Sequence, residues 1–268
     1  MCNPGSGSAP DVGGTSAQLK ALGAQVVDGE DVDRIVVVGG DGTVAPGAEL
    51  AARLGVPLAV VPAGTANDFA RAHGLPEDVD AAIALAARPD AAARVLELAL
   101  MGDRPFVNAA SAGLAPAAAE RAEPLKERLG PLAYSAGAAV AGAVEDPIAV
   151  EVTVDGRPAF DGDAWQVTVA SSGAFGGGSQ IEDADPRDGR LDLVVVPGAG
   201  RAALPKVALA MRRGTVAQLE EVVHARGTVL EVLVPAGTPF NVDGEVVEAD
   251  GLVRFTVRPG AFALLVPT

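Results

Sequence analysis

Runs of apolar residues divide the chain into two regions with different patterns. In the first hundred residues, uninterrupted apolar runs at 35–38 (IVVV) and 57–62 (PLAVVP) alternate with helix-like segments. Such runs are typical of parallel strands that are covered on both faces. We predict helices at 15–23 and 46–54, the second with proline in its first turn, and a short strand at 24–27. The first region is therefore predicted to be an α/β domain.

From about Arg94 onward, the pattern changes to short apolar runs separated by Gly, Pro and Asp turns. The predicted strands are 94–100, 104–110, 148–154, 157–160, 164–170, 190–196, 228–234, 252–257 and 261–267. This spacing predicts an antiparallel sandwich, interrupted by helices at about 115–144 and 201–213. We therefore expect an α/β domain over residues 1–95 and a β-rich sandwich domain over residues 96–257, with residues 258–268 returning to the first domain.

Composition excludes several classes of protein. The formal net charge is −15, and the lysines are only Lys20, Lys126 and Lys206, so no basic stripe is available to bind nucleic acid. Cys2 is the single cysteine, which favours a reducing compartment. The start, MCNPGSGSAP, has no basic or apolar region, so we expect no signal peptide. The longest apolar helical stretch, 132–144, is too short to cross a bilayer. We expect a cytoplasmic protein without a transmembrane segment.

A glycine-rich motif, GGDGT (39–43), follows the first apolar run. Glycines at the carboxyl edge of a parallel sheet leave backbone N–H groups free to approach phosphate oxygens. Thr43 adds a hydroxyl donor, and Asp41 would tolerate a polyphosphate only with a divalent cation or a proton between them. The motif is equally compatible with a tight turn between strand and helix.

A second glycine motif, PAGTANDFAR (62–71), follows the next apolar run. We predict that Thr65 caps a short helix, whose free amides suit an anion, and that Asn67 can donate to a nucleotide. Asp68 and Arg71 are also compatible with a simple ion pair within that helix. Two such loops at adjacent strand ends predict one phosphate-binding cleft.

In this order, the motifs resemble the diacylglycerol kinase catalytic-domain family, in particular bacterial lipid kinases that are similar to sphingosine kinases. The resemblance rests on NPGSG (3–7), GGDGT (39–43), PAGTANDFAR (62–71), NAASAG (108–113), GGGSQIEDADPRDGRLDLVVV (176–196) and NVDGE (241–245). It implies an ATP-binding α/β domain like that of phosphofructokinases and NAD kinases, then a β-rich domain, with phosphate transferred in the cleft between them.

The resemblance also implies roles for individual residues. Asp243 would be the general base for the acceptor hydroxyl, and Asp41 would act on the magnesium and phosphate side. The Asp188 side chain would hold a structural magnesium with the carbonyls of Asp185 and Arg190. Nucleotide-binding residues would be Asn3, Ser6, Gly40, Gly42, Thr43, Gly64, Thr65 and Asn67. From the residues alone, VDGE is a hairpin turn, and the acidic loop is either a metal loop or a solvated turn.

The implied activity is transfer of phosphate from ATP, with Mg²⁺, to a hydroxyl of a membrane lipid such as diacylglycerol. The implied partner is a lipid at a membrane surface, contacted transiently, and a homodimer is left open. An NAD-kinase-like enzyme and a nucleotide- or lipid-binding protein without turnover are the alternatives. We interpret His73 and His224 as ordinary surface residues.

The chain departs from the family pattern in three places. The apolar strand that the family has before the NPGSG motif is missing, because only Met1 and Cys2 precede Asn3. Only residues 28–34 separate the predicted strand at 24–27 from IVVV, although a parallel crossover needs about a dozen residues. Ala45 and Pro46 stand where the family has asparagine and glutamate. The shortened N-terminal region therefore puts ATP affinity and turnover in question.

Overall fold

The computed structural model describes residues 12–27, 29, 31–114, 146–175, 179–181, 184–198, 200–201 and 204–267. Asn3, Ser6, the NPGSG motif and the predicted helix at 115–144 lie outside the described residues. Among the described residues, no helix is long and apolar enough to cross a membrane.

The first part of the chain forms a small parallel sheet with helices packed on it. Its elements are α1 (Val12–Ala21), β1 (Ile35–Gly39), α2 (Asp41–Leu54), β2 (Leu58–Pro62), α3 (Asp68–Ala72) and α4 (Val79–Ala87). Strands β1 and β2 pair in parallel, with Ile35 opposite Leu58. Apolar side chains on both faces of this sheet are buried, one face against α2 and the other against α4, as predicted from the uninterrupted apolar runs.

Two local predictions for this part were wrong. Helix α2 begins at Asp41, so the GGDGT motif itself forms the first turn and Pro46 lies inside the helix. An aspartate in the first turn is favourable because it faces the positive end of the helix dipole. Residues 24–27 form no strand, and Val26 and Val27 are exposed, since the seven residues that follow are too few for a crossover.

The rest of the chain is rich in antiparallel strands. They are β3 (Ala92–Met101), β4 (Arg104–Phe106), β5 (Ala109–Gly113), β6 (Ile148–Val154), β7 (Arg157–Ala170), β8 (Ala174–Phe175), β9 (Ser179–Gln180), β10 (Leu191–Pro197), β11 (Val223–Gly227), β12 (Val229–Leu233), β13 (Thr238–Val242), β14 (Glu245–Ala249) and β15 (Leu252–Val266). Helix α5 (Leu204–Arg213) lies between β10 and β11. A central core contains the packed rings of Phe106, Phe240 and Phe255.

Several predicted strands are joined or divided in the structure. The runs at 157–160 and 164–170 form the single strand β7, and the runs at 252–257 and 261–267 form β15 with a register shift between Arg258 and Phe262. The run at 104–110 is divided into β4 and β5. Five strands of the described residues were not predicted: β8, β9, β11, β13 and β14.

Strand β15 connects the two parts of the molecule. Its first half pairs with β12 in the β-rich part, and β3 pairs along most of its length. Its second half reaches the α/β part, where Leu264 pairs in parallel with Leu58 of β2. The last strand thus returns to the first sheet, while the division of the chain at residue 95 remains a prediction.

Candidate active site

The two glycine motifs touch each other through their backbones. A Cβ atom built on Gly64 would lie 2.5 Å from Cα of Gly40, and one built on Gly40 would lie 3.1 Å from Cα of Gly64. The main-chain N–H of Ala63 also donates to the carbonyl of Gly39, at 3.0 Å. Glycine is therefore required at this contact because a side chain would push the two loops apart.

Asp41 connects these loops to helix α3. Its Oδ2 accepts a hydrogen bond from the N–H of Asp68 at 3.1 Å, and its Oδ1 accepts one from the N–H of Phe69 at 2.8 Å. The carboxylate thus satisfies two amides in the first turn of α3, where negative charge is favoured. Asp41 therefore fixes the second glycine loop as well as beginning α2.

The other residues predicted in these loops have different surroundings. Thr65 is exposed and does not cap α3, contrary to the prediction; the cap residue is Asn67, in the left-handed conformation at φ 51°. The side chain of Asn67 closes its own loop, accepting from Gly64 N at 2.9 Å and donating to Gly64 O at 3.0 Å. Thr43 is partly exposed in the first turn of α2. Arg71 forms an ion pair with Asp68, as the simpler interpretation held.

Asp243 occupies the turn between β13 and β14. The turn is formed by Asp243 at φ 47° and Gly244 at φ 93°, the backbone of a type I′ hairpin. Its carboxylate accepts from the N–H of Val107 at 2.7 Å, Asn108 at 2.9 Å and Ala109 at 3.1 Å. Val107 and Asn108 lie in the interruption between β4 and β5, and Ala109 begins β5. The VDGE motif is therefore a hairpin turn, and the Asp243 carboxylate in it binds the backbone amides of residues 107–109.

The environment of Asp243 is suited to a base that works near neutral pH. Burial raises the pKa of Asp243 to about 7, although its three backbone hydrogen bonds lower the pKa, and the charge of Asp41 raises it further. A general base is most effective when its pKa lies close to the working pH. Asp243 meets this requirement.

Asn108 brings the two predicted catalytic residues together. Its side-chain Nδ2 donates to Asp41 Oδ1 at 3.2 Å, and its main-chain N–H donates to Asp243 Oδ1. Sequence analysis assigned no role to Asn108. The available signal was a polar residue between the apolar pairs FV and AA, in the NAASAG motif.

The hairpin also reaches the first glycine loop. Glu245 forms an ion pair with Arg104 of β4, and a Cβ atom built on Gly42 would lie 2.9 Å from Oε1 of Glu245. Gly42 therefore allows the hairpin to contact the start of α2. This contact places the DGE turn beside the GGDGT motif.

The predicted magnesium loop is held by arginines in the structure. Asp185 forms a bidentate pair with Arg187, at 2.7 and 2.9 Å. Asp188 accepts from Arg190 N at 2.9 Å and forms an ion pair with Arg226. Both oxygens of the Asp188 carboxylate therefore have protein partners, and one of these partners, Arg226, supplies the counter-charge that a bound magnesium would supply. The ligand set remains a prediction from the resemblance.

Three polar residues near this loop were misjudged or missed: His73 and Glu97 are buried, and His224 is partly buried. His73 is buried against Phe69, and burial lowers its pKa to about 4. His224 Nε2 lies 2.8 Å from the fully buried Asp192. Glu97, also buried, accepts from Ser171 Oγ and Gly189 N, both at 2.9 Å, and burial raises its pKa to about 7. The two histidines are thus not ordinary surface residues.

Comparisons with known proteins agree with this architecture. Residues 13–96 match the family model of the diacylglycerol kinase catalytic domain. Residues 108–266 match that of the YegS C-terminal NAD kinase beta sandwich-like domain. The gap between the two matches, residues 97–107, covers the second half of β3 and all of β4.

Curated relatives include the "Probable lipid kinase YegS-like" protein of Pseudomonas putida KT2440, which is 33% identical over 237 residues, 87% of this chain and 77% of that protein. The "Diacylglycerol kinase" of Bacillus subtilis 168 is 30% identical over 219 residues, 80% of this chain and 72% of that protein. Both proteins therefore belong to the same family as this chain.

Solved structures show the fold. A diacylglycerol kinase from Bacillus anthracis Sterne has a TM-score of 0.75 at 22% identity, covering 99% of this chain and 95% of that one. An NAD kinase from Archaeoglobus fulgidus in complex with ATP has a TM-score of 0.53 at 16% identity, covering 95% and 89%. The named relatives and the matching catalytic-domain model place the chain among kinases. The chain belongs to the diacylglycerol kinase catalytic-domain family of lipid kinases, with a YegS-type C-terminal domain.

Proposed function

We propose that the protein is an ATP-dependent lipid kinase that phosphorylates a hydroxyl group of a membrane lipid such as diacylglycerol. The observation that carries the proposal is Asp243, a carboxyl group with its pKa raised to about 7 and held beside Asp41 and the GGDGT loop. Family membership supports a lipid acceptor, because the named relatives are lipid and diacylglycerol kinases.

In the proposed mechanism, the two parts of the molecule bind the two substrates. Nucleotide phosphates lie at the loops of Gly40, Gly42 and Gly64, where α2 presents its N-terminal amides, and Thr43 and Thr65 donate hydroxyl groups. Asp243 accepts the proton of the lipid hydroxyl as that oxygen attacks the γ-phosphorus. The bond from phosphorus to the ADP oxygen breaks, and ADP leaves with the electron pair.

Magnesium bound with ATP would neutralise the charge that develops on the phosphates. Asp41 Oδ2 would be a ligand of that magnesium. Among the described residues this oxygen accepts one hydrogen bond, from Asp68 N, and so keeps a lone pair for the metal. The remaining nucleotide contacts assigned by resemblance, Asn3 and Ser6, stay part of the proposal.

A lipid acceptor requires contact with a bilayer. We therefore extend the proposal to a cytoplasmic protein that binds the membrane surface transiently, with the lipid hydroxyl brought to Asp243. The net charge of −15 favours binding that is brief or locally arranged, because an anionic bilayer repels the molecule as a whole.

The test is transfer of radiolabel from γ-labelled ATP, with magnesium, in mixed micelles. The acceptors are diacylglycerol, phosphatidylglycerol, ceramide and sphingosine, with NAD as the soluble alternative. We expect label in a lipid and none in NAD. Label in NAD alone would establish an NAD-kinase-like enzyme, and ATP binding without transfer to any acceptor would establish a binding protein.

A further inference from the structure

Asn108 contacts both predicted catalytic carboxylates at the candidate site. The residue is 3% exposed. Its Nδ2 donates to Asp41 Oδ1 at 3.2 Å, and its main-chain N–H donates to Asp243 Oδ1 at 2.9 Å. One residue therefore contacts carboxylates that come from opposite ends of the chain.

A second residue, Ser172, anchors the Asn108 amide. Ser172 Oγ donates to Asn108 Oδ1 at 2.9 Å, and the main-chain N–H groups of Ser171 and Ser172 donate to the Asn108 carbonyl at 2.9 and 3.3 Å. If the amide were turned over, its oxygen would face the Asp41 carboxylate, and two acceptors would repel each other. The Asp41 carboxylate thus selects the orientation with the NH₂ group facing it, and Ser172 holds the oxygen at the other end of the amide.

We propose that Asn108 is a positioning residue for phosphoryl transfer, which holds the Asp41 carboxylate in one orientation relative to Asp243, with Ser172 acting through it. The proposal rests on the proposed function. Its physical basis is that Asp41 and Asp243 belong to different elements, and Asn108 is the described residue that bonds to both. A displacement of about 1 Å at such a site can cost on the order of a hundredfold in rate.

The test is a double-mutant cycle of Asn108→Ala and Ser172→Ala, assayed by lipid phosphorylation. Asn108→Ala should lower kcat roughly 10- to 100-fold with little change in KM for ATP or lipid. Ser172→Ala should lower kcat by less. The double variant should match Asn108→Ala alone, because Ser172 acts through the amide.

Two further variants separate positioning from packing. Asn108→Asp keeps the size and the acceptor for Ser172 but loses the donor to Asp41, so it should not recover kcat. Thr168→Val removes a buried hydroxyl from β7, the strand that leads to Ser172, and should change kcat less than about twofold. It is the control for loss of a buried polar group.

The outcomes are distinct. Wild-type kcat in Asn108→Asp, or losses that multiply in the double variant, would overturn the inference while leaving the kinase proposal intact. A wild-type protein that phosphorylates no lipid would remove the proposed function instead.

Discussion

Replacing Asp243 with asparagine tests the central claim about the site. The substitution keeps the size of the side chain, and asparagine tolerates the positive φ of 47° at this turn. It removes the basic oxygen and turns one acceptor into an NH₂ donor. Because the carboxylate accepts from Val107 at one oxygen and from Asn108 and Ala109 at the other, one N–H loses its acceptor in the variant.

The expected loss of rate follows from the role of a general base. Removal of a general base typically lowers turnover by about 10²- to 10⁴-fold. For the wild type, a pKa of about 7 means that kcat/KM should rise roughly tenfold from pH 5 to pH 6 and level off above about pH 8. In Asp243→Asn, this rise should disappear, and ATP binding should persist.

Stability should change in a defined direction with pH. Burial raises the pKa of Asp243 from 3.8 to about 7, so between these pH values the folded protein keeps a proton that the unfolded chain has lost. Its contribution to the free energy of unfolding is therefore present at low pH and falls as pH rises, by up to about 1.4 kcal/mol per pH unit. Asp243→Asn should lack this slope but cost about 1–3 kcal/mol for the unpaired N–H.

Asp155 provides a matched control. It also lies before glycine in a hairpin turn, at φ 48°, and its Oδ1 accepts from the N–H groups of Thr228 and Val229 and from the Thr228 hydroxyl. Asp155→Asn should lower the melting temperature without changing the pH dependence of turnover. The assays are calorimetric ATP binding, with and without magnesium, and lipid phosphorylation from pH 5 to 9. Should Asp243→Asn phosphorylate lipid at the wild-type rate, Asp243 is only a turn residue.

Three other predictions concern the loops and the buried acids. Gly64→Ala should weaken ATP binding and lower stability because its Cβ would meet Gly40 at 2.5 Å. Gly200→Ala should do neither, because no atom of the described residues lies within 4 Å of its added Cβ; equal ATP affinities of the two variants in calorimetry would contradict this. Because Arg226 already neutralises Asp188, magnesium should hardly change the melting temperature of the wild type. Magnesium should raise the melting temperature of Arg226→Met. A rise of several degrees in the wild type would instead support the magnesium ligand set. Glu97→Gln should raise the free energy of unfolding at pH 8 but not at pH 5. Burial raises the pKa of Glu97 to about 7, so the buried carboxylate is charged, and destabilises the fold, only above that pH. Denaturant unfolding at both pH values checks this.

Periodicity and turn chemistry predicted much of the fold because they are local. Uninterrupted apolar runs identified β1 and β2, and the Asp-Gly pairs at 155–156 and 243–244 identified two hairpin turns. Boundaries that depend on long-range pairing were less predictable. The run at 104–110 looks like one strand, but it is divided because β4 pairs with β3, while β5 pairs with β7 and β13.

The candidate site could be predicted only where a motif marked it. Asp41 and Asp243 were found through the resemblance, but their connection through Asn108 depends on three-dimensional contacts. Likewise, Arg226 lies far along the chain from Asp188, so no local pattern could show that the acidic loop has a built-in counter-charge. The position of His73 in the core was missed because a single histidine gives no periodic signal.

The path of β15 also sets the order in which the molecule can be completed. The parallel sheet that carries both glycine loops gains a strand only when Leu264 pairs with Leu58, across roughly 200 intervening residues. At a synthesis rate of about 5–20 residues per second, roughly 10–40 seconds pass between the synthesis of β2 and that of the strand that pairs with it. During this time, the apolar edge of β2 is unprotected in the nascent chain. The α/β half, although made first, can therefore reach its final form only after the β-rich half has been synthesised.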